Sequence, residues 1–212
     1  MPTYKLIYFA LRGRAEVARL MFHQAGIEFE DERISGDAWH KYKPETPFGQ
    51  LPTLSIDGQV IGQSQAINTY VAEITGLNGE TPMEKARVVM VVESVSEIFQ
   101  KLAAVHYEKD EAKKAELYKA TFEKAIPEYF CRMEKILSDG GGSKYFAGSK
   151  VTRADITFFT LFDTLRQAKI GEGREWFEKG ATPCPKLEQL VFDVEKEPNI
   201  RAWLEKRPES SF

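Results

Sequence analysis

Tyr8 is the first residue of this 212-residue chain whose type and position could carry chemistry. It lies in the apolar run Leu6–Phe9, which is typical of a short buried strand, and Gly13 interrupts the pattern soon afterwards. A phenol at the end of a strand can donate a hydrogen bond to an anion or a thiolate. Taken alone, however, Tyr8 is better explained as a packing aromatic, so its surroundings must decide its role.

Three further segments have the residue types needed to bind a small, acidic, peptide-like ligand. Pro52 directly precedes a strand pattern, and a cis bond there would turn the backbone of Leu51 outward, where it can pair with an extended peptide. Ser64 opens a helical pattern, where its hydroxyl could hold a carboxylate or simply cap the helix. Trp39 and Lys43 lie four residues apart and would share one helical face, either as ligand contacts or as a packing ring and a solvated amine.

The cysteine and histidine content excludes several other chemistries. A redox C-x-x-C motif would follow the first strand, but the sequence there is Tyr-Phe-Ala-Leu, which excludes disulfide exchange at that position. Cys131 and Cys184 are the two cysteines of the chain, so a disulfide scaffold or a cysteine-rich zinc site is not expected. The three histidines are scattered without metal-ligand spacing. The sequence therefore predicts no metal site.

The charge balance and the apolar pattern exclude several classes of partner. The 29 Lys and Arg residues and 32 Asp and Glu residues give a net charge of −3, which disfavours a nucleic-acid-binding protein. No apolar run approaches the roughly 20 residues that span a bilayer. The N-terminal run is too short and too soon followed by charge for a signal peptide. We therefore expect a cytoplasmic protein without nucleic-acid or membrane partners.

The segments that would position these residues follow the order of a thioredoxin-like α/β domain. Asp57-Gly58 predicts a two-residue hairpin turn, because both residues tolerate positive φ. Ser64 is expected to cap the helix that follows, which Gly76 ends. The predicted elements are a strand at 6–9, a helix at 15–25, a weaker strand at 29–34, hairpin strands at 53–56 and 59–61, and a helix at 65–75.

The second part of the chain has the pattern of an all-α domain. Thr152 and Asp155 are spaced as a capping box, with Val151 and Ile156 placed as a hydrophobic staple. The predicted helices are 83–107, 111–137 with a possible kink at Pro127, one starting at the capping box, 185–196 and 199–206.

The domain boundary is expected in the Gly- and Pro-containing segment Gly76–Pro82. This gives a thioredoxin-like domain at 1–79 and an all-helical domain at 80–212. The run Gly140–Gly142 lacks the context of a phosphate-binding loop, so it predicts a connection between helices.

Together these residues make the chain resemble the cytosolic glutathione transferases. The opening Tyr-Lys-Leu-Ile-Tyr-Phe, followed by Arg-Gly-Arg-Ala-Glu, looks like the sigma class, which includes invertebrate enzymes and glutathione-dependent prostaglandin D synthases. The similarity continues through Thr-Pro-Phe-Gly-Gln-Leu-Pro, Gln-Ser-Gln-Ala-Ile, Val-Thr-Arg-Ala-Asp and Lys-Arg-Pro. The resemblance implies a thioredoxin-like N-terminal domain, an all-helical C-terminal domain, a homodimer, and glutathione as co-substrate.

The resemblance also implies roles for individual residues. Tyr8 would donate its hydroxyl to the sulfur of glutathione, and Arg14 would support the polar network beside it. The other implied glutathione contacts are Trp39 and Lys43 at the glycyl end, Gly49, Gln50 and the Leu51 backbone at the cysteinyl unit, Gln63 and Ser64 at the γ-glutamyl carboxylate, and Glu97 at the γ-glutamyl amine in the partner subunit's site.

The second substrate and the final activity stay open at this stage. The leading expectation is conjugation of glutathione to a hydrophobic electrophile in a pocket lined by Phe9, Ala104 and the helix around Phe158. Glutathione-dependent prostaglandin isomerisation, a crystallin-like or carrier protein, and a peptide-binding adaptor are the alternatives. Some prostaglandin synthases of the class bind a divalent cation through aspartates, but the matching positions here are Glu93, Ser96 and Glu97, so the resemblance does not imply a metal.

Overall fold

The structure is a computed structural model, which describes residues 2–139, 144–167 and 184–210. The run Gly140–Gly142, predicted to be a connection, lies outside the described residues. The chain divides into two compact units, one within Met1–Asn78 and Lys196–Phe212 and the other within Gly79–Glu195.

A four-stranded mixed sheet forms the centre of the first unit. Its strands are β1 (Tyr4–Phe9), β2 (Glu30–Ile34), β3 (Thr53–Ile56) and β4 (Gln59–Gly62), in the spatial order β2-β1-β3-β4. β1 pairs in parallel with β2 and antiparallel with β3, which forms a hairpin with β4. Leu6 and Leu54 lie opposite each other on the two central strands, and both are fully buried. Because β1 is a central strand, its two neighbouring strands hold the backbone that carries Tyr8.

The hairpin turn confirms the expectation from Asp57-Gly58. Both residues have positive φ, 48° for Asp57 and 87° for Gly58. The Asp57 carboxylate accepts hydrogen bonds from the amide and the hydroxyl of Thr3, and these bonds hold its pKa below its ordinary value. The turn is therefore tied back to the start of β1.

Four α-helices lie in the described part of the first unit. They are α1 (Glu16–Gln24), preceded by a 3-10 turn at Gly13–Ala15, α2 (Trp39–Tyr42), followed by a 3-10 turn at Lys43–Glu45, α3 (Ser64–Thr75), and the C-terminal α9 (Pro198–Lys206). α1 packs against both α3 and α9, and all its residues from Glu16 to Phe22 are buried.

The position of α9 differs from the domain bounds expected from the sequence, 1–79 and 80–212. Residues from Lys196 onward group with the thioredoxin-like unit. The physical reason is that Trp203 stacks on His23 of α1, with ring centroids 4.3 Å apart, and Ile200 is fully buried.

All the regular secondary structure in the described part of the second unit is helical. Its elements are α4 (Pro82–Tyr107), α5 (Glu111–Tyr118), a π-helical segment at Lys119–Ala125, α6 (Ile126–Ser138), α7 (Arg153–Gln167) and α8 (Pro185–Glu195). α7 packs against α4 and α8, so it occupies the centre of this unit. The predicted helix over 111–137 is instead interrupted by the π-helical segment just before Pro127, which has no N–H to continue a regular ladder.

Asp155 at the start of α7 makes one half of the predicted capping box. Its carboxylate accepts the amide of Thr152 at 2.7 Å and the amide of Phe146 at 2.9 Å. The Thr152 hydroxyl donates to the same carboxylate at 2.7 Å instead of accepting from the amide of Asp155. Asp155 therefore anchors the segment that precedes α7 as well as the start of the helix.

Candidate active site

Four separate segments of the first unit meet at one end of the sheet. Ile7 pairs with Thr53, so Tyr8 on β1 and Pro52 before β3 lie at the same end of this strand pair. β2 runs parallel to β1 and ends there as well, leading to α2, while Gly62 of β4 pairs with Thr53 and leads to α3. The topology therefore brings the predicted site segments to one edge.

Tyr8 is held against the first turn that follows β1. Its side chain is 8% exposed, and its hydroxyl accepts a hydrogen bond from the backbone amide of Arg14 at 3.3 Å. Gly13 lies directly against it: a Cβ at this glycine would be 2.7 Å from the Tyr8 hydroxyl oxygen. Since a phenol that accepts a hydrogen bond still carries its own proton, Tyr8 can act as a donor.

Arg14 contributes to this arrangement through its backbone. The resemblance implies that Arg14 supports the polar network beside Tyr8. Its side chain is exposed, whereas its amide contacts Tyr8. The amide belongs to the 3-10 turn at the start of α1, where backbone N–H groups give a partial positive charge.

The segment with Trp39 and Lys43 packs beside β1 and the loop before β3. The ring of Trp39 meets the ring of Phe9 edge-on at 5.7 Å. A Cβ at Gly49 would lie 3.6 Å from Cε of Lys43, so the lysine side chain runs over this glycine. The predicted common helical face is only partly formed, because α2 ends at Tyr42 and Lys43 begins a 3-10 turn.

Tyr42 and Glu32 connect that segment to the sheet. The Tyr42 hydroxyl donates to the Glu32 carboxylate, which is also 2.6 Å from Nζ of Lys5. Hydrogen bonds from Lys5, which has the larger effect, and from Tyr42 hold the pKa of Glu32 below its ordinary value. The short α2 is therefore fixed to β2 by a charged contact.

The Leu51–Pro52 peptide bond is cis, the isomer that the sequence analysis considered for this position. Pro52 is buried, Leu51 is half-buried and Gln50 is exposed. β3 starts at Thr53, and the Leu51 backbone makes no hydrogen bond with any other residue that the structure describes. Its N–H and C=O are thus available at the same edge as Tyr8.

Ser64 is the first residue of α3, and this corrects the expectation that it caps a helix beginning at Gln65. Gln63 is the capping residue, and its carbonyl accepts the amide of Ile67 at 3.0 Å. The helix starts early because Gln63 adopts φ of 69°, an unusual conformation for a residue other than glycine. The Ser64 hydroxyl forms no hydrogen bond with the other described residues, so it can serve a ligand at the helix N-terminus.

Glu97 lies in the second unit, on the exposed side of α4. Glu93 is exposed one turn earlier, whereas the hydroxyl of Ser96 bonds the carbonyl of Val92 at 3.0 Å. Within the described residues no group of three or more His, Cys, Asp or Glu side chains could hold a metal ion.

A buried charged network that sequence reasoning missed lies behind the Tyr8 loop. Arg19 of α1 is fully buried, and its Nη1 donates to the carbonyls of Leu11 and Arg12 at 3.0 and 3.3 Å. The same atom contacts Glu16 at 3.2 Å, and Nε of Arg19 contacts Asp31 at 2.8 Å. The three-residue spacing of Glu16 and Arg19 on a helix was the available signal in the sequence.

Two protein domain families match parts of the chain. The glutathione S-transferase N-terminal domain matches residues 4–73, and the glutathione S-transferase C-terminal domain matches residues 96–207. The chain is also 36% identical to the hematopoietic prostaglandin D synthase of Gallus gallus over 212 residues, which cover 100% of both chains. The chain belongs to the glutathione S-transferase family.

Two further proteins are similar to this chain over almost its whole length. The S-crystallin SL11 of Nototodarus sloanii is 34% identical over 214 residues and covers 100% of both chains. The crystal structure of the glutathione S-transferase from Ascaris lumbricoides has a TM-score of 0.83 and 33% identity, covering 99% of this chain and 100% of that one. With these relatives, the chain is sigma-class-like within the family.

The family assignment confirms the predictions of a thioredoxin-like N-terminal domain, a helical C-terminal domain and a glutathione S-transferase. Family membership implies glutathione as the co-substrate. In the part of the chain that the structure describes, none of the helices has the length and apolar character needed to cross a membrane.

The expected wall of the transferase's electrophile pocket includes the helix around Phe158, and Phe158 itself lies in the core. Phe158 is fully buried, with its ring 5.7 Å from that of Phe130 and 5.4 Å from that of Phe146. Ala104 is exposed on α4, and Phe9 is half-buried beside Trp39. Phe158 therefore packs in the core of the helical unit, while Phe9, Ala104 and the helix around Phe158 stay predictions for the pocket wall.

Proposed function

We propose that this transferase conjugates glutathione to hydrophobic electrophiles and that Tyr8 stabilises the glutathione thiolate. The contact between the Tyr8 hydroxyl and the Arg14 amide carries the proposal. It fixes a phenolic donor at the sheet edge where the Leu51 backbone and the Ser64 hydroxyl have no partner among the described residues.

Stabilising the thiolate is the step that this arrangement favours. A thiol of the cysteine type has a pKa of about 8.5, so most of it is protonated and weakly nucleophilic at neutral pH. A hydrogen bond to a charged group contributes about 1.5–3 kcal/mol. At 1.36 kcal/mol per unit, Tyr8 would lower the pKa of the bound thiol by about one to two units. The positive end of the turn at Arg14 acts in the same direction.

Tyr8 acts in this mechanism as a donor and not as a general base. The ordinary pKa of tyrosine is about 10, so the phenol keeps its proton while the thiolate forms. The proton of the thiol leaves to solvent, and the sulfur lone pair then attacks the electrophile. The bond that forms is therefore carbon–sulfur, and the leaving group of the electrophile departs with its electron pair.

The remaining site residues suit the other parts of glutathione. The Leu51 backbone can pair with the cysteinyl unit as an added strand does, with Gly49 and Gln50 beside it. Gln63 and Ser64, at the start of the 12-residue α3, suit the γ-glutamyl carboxylate. Trp39 and Lys43 suit the glycyl carboxylate.

A homodimer is part of the proposal, with Glu97 reaching the γ-glutamyl amine in the partner subunit's site. It is supported by exposed apolar side chains on each unit taken separately. Phe48 of the first unit is 63% exposed, and Met83 and Met90 of α4 are 68% and 48% exposed. Met83, Met90 and Glu97 recur at intervals of seven along α4, which keeps them on one side of that helix.

We also propose a cytoplasmic location. Cys131 and Cys184 are both free thiols, which agrees with a reducing compartment.

The substitution Tyr8→Phe tests the catalytic proposal. We expect the thiolate fraction of bound glutathione, and with it conjugation of a chlorodinitrobenzene, to fall about tenfold or more at neutral pH. The KM for glutathione should change by less than about twofold, because the phenol contacts only the reacting sulfur. Tyr107→Phe, at an exposed tyrosine of α4, is the matched control. Unchanged turnover by Tyr8→Phe would refute the role of Tyr8.

Prostaglandin isomerisation is the second candidate, because a hematopoietic prostaglandin D synthase is 36% identical over the full length. The same thiolate would add to the substrate and be released again, so glutathione would not be consumed. Parallel assays of chlorodinitrobenzene conjugation and prostaglandin H isomerisation distinguish the two. Glutathione binding without either activity would instead favour a crystallin-like or carrier role, as in the S-crystallin relative.

A further inference from the structure

We infer that the C-terminal segment from Trp203 to Ser210 positions Tyr8, acting through a buried ion network and the loop after β1. Arg207, Glu16 and Arg19 are the positioning residues of this relay. The inference rests on the proposed role of Tyr8 and extends it to residues almost 200 positions away in the chain, all within the first unit.

The relay begins at the loop that carries the Arg14 amide. Arg19 donates from Nη1 to the carbonyls of Leu11 and Arg12, which immediately precede Gly13. These bonds fix the loop backbone just before Gly13 and Arg14, the two residues that contact the phenol. A shift of the Arg19 guanidinium therefore shifts the donor to the Tyr8 hydroxyl.

Arg19 also lies close to the Tyr8 ring itself. Its guanidinium carbon is 6.0 Å from the ring centroid, at the outer limit of a cation–π contact. Because the arginine is fully buried, water cannot replace a lost partner, so its position depends on the acidic groups around it.

Glu16 is the junction between Arg19 and the C-terminal segment. One carboxylate oxygen accepts from Arg19 at 3.2 Å. The other accepts from Nε1 of Trp203 at 3.0 Å and from Nη1 of Arg207 at 3.2 Å. Since Glu16 is only 1% exposed, its orientation is set by these three donors, two of which come from the end of the chain.

A second connection reaches the loop directly. Arg12, which is buried, donates from its amide to the hydroxyl of Ser210 at 3.3 Å and from Nη2 to the carbonyl of Ser210 at 3.2 Å. The segment 207–210 thus contacts the loop from two directions, through Glu16 and through Arg12. Such a double contact restrains the loop more strongly than local turn formation alone.

Arg207→Met is the decisive variant, because it removes the charge and the donors but keeps a long apolar stem. We expect the pKa of enzyme-bound glutathione to rise and kcat at about pH 6.5 to fall about three- to tenfold, with the KM for glutathione within about twofold. Arg207→Lys should restore part of the loss, because it keeps the positive charge. Arg201→Met, which removes an exposed i,i+4 partner of Glu205 on the same helix, should leave both quantities unchanged.

The double variant Tyr8→Phe/Arg207→Met separates positioning from general damage. If Arg207 acts through Tyr8, adding Arg207→Met to Tyr8→Phe produces no further rise in the thiol pKa. An equal rise in both backgrounds, or an unchanged thiol pKa in Arg207→Met, overturns the inference. Failure of Tyr8→Phe itself to raise the thiol pKa overturns the proposed function instead, so the two failures are distinguishable. Thermal unfolding of each variant, recorded alongside, identifies any loss of activity that comes from unfolding.

Discussion

The backbone amide of Arg14 donates to the hydroxyl of Tyr8 across 3.3 Å. This contact orients the phenol, because a hydroxyl that accepts along one direction must donate along another. It also strengthens the phenol as a donor, since hydrogen bonds in a chain polarise one another. In the proposed mechanism, the geometry of this short loop therefore affects how strongly Tyr8 stabilises a thiolate.

Gly13→Ala should damage this geometry directly. Gly13 has φ of +40°, and an added Cβ would lie 2.6 Å from Cδ1 of Leu11 and 2.7 Å from the Tyr8 hydroxyl oxygen. We expect kcat for conjugation to fall at least about tenfold because the phenol is displaced, and stability to fall by about 1–3 kcal/mol through backbone strain and crowding. Steady-state kinetics and urea unfolding measure the two effects.

Gly26→Ala is the control for that substitution. Gly26 also has positive φ, +65°, but nothing lies within 4 Å of an added Cβ. It should show the loss of stability from backbone strain without the loss of kcat. A similar kcat for the two alanine variants would contradict the proposed link between the loop and Tyr8.

Ser64→Ala should weaken glutathione binding with little effect on the chemical step. The hydroxyl lies at the N-terminus of α3 and has no partner among the described residues, so its removal leaves the protein's own bonds intact. We expect the KM for glutathione to rise about tenfold, as for the loss of a hydrogen bond to a carboxylate, with kcat nearly unchanged. Thr69→Ala, which removes an exposed hydroxyl on the same helix, should leave the KM unchanged.

Tyr42→Phe should raise the KM for glutathione by releasing α2 from the sheet. The Tyr42 hydroxyl donates to Glu32, and the segment that it holds carries Trp39 and Lys43. We expect a rise of about three- to fivefold, because one hydrogen bond to a charged group is lost and the site must be reordered on binding. His40→Ala, at an exposed residue of α2, is the control, and an equal rise there would argue against a specific role for Tyr42.

The same contact has a defined pH dependence. Lys5 and Tyr42 lower the pKa of Glu32 in the folded protein, so its contribution is complete above the unfolded value of about 4.5 and is lost as the pH falls through the lowered folded value. The KM difference between Tyr42→Phe and the wild type should therefore stay constant between about pH 6 and pH 8. A difference that disappears within that range would show that another group controls α2.

The sequence could predict the features of the site that depend on local pattern. The Tyr8 strand, the Asp57-Gly58 turn and the cis bond before Pro52 each have a signal within a few residues. The family resemblance then supplied the identity of the ligand. Tyr8 and Pro52 lie at one end of the sheet, whereas the Asp57-Gly58 turn lies at the other end beside Thr3.

The features that the sequence could not predict depend on distant contacts or unusual backbone. Glu16 and Trp203 are 187 positions apart, and no spacing rule connects them, so the assignment of α9 to the first unit was missed. The early start of α3 depends on the positive φ of Gln63, which residue type alone disfavours. In both cases the tertiary structure overrides the local preference of the residues.

Asp155→Asn should destabilise the helical unit without a direct effect on catalysis. Burial raises the pKa of Asp155 to about 6, opposed by hydrogen bonds from Phe146 and Thr152, so the side chain is a carboxylate at about pH 7.5. It accepts two amides and one hydroxyl, and an asparagine would point its NH₂ group at one of these donors. We expect a loss of about 2–4 kcal/mol in the free energy of unfolding at that pH, measured by urea titration.

Asp110→Asn provides the matched comparison for that change. Asp110 is exposed and caps α5 by accepting the amide of Lys113 at 3.0 Å. Because asparagine and aspartate are nearly equivalent as capping residues at a surface, this variant should lose less than about 0.5 kcal/mol. The kcat of Asp155→Asn, measured well below its unfolding temperature, should match the wild type within about twofold. If the two variants lost equal stability, the buried Asp155 carboxylate and its three donors would contribute no more than an ordinary cap at the surface.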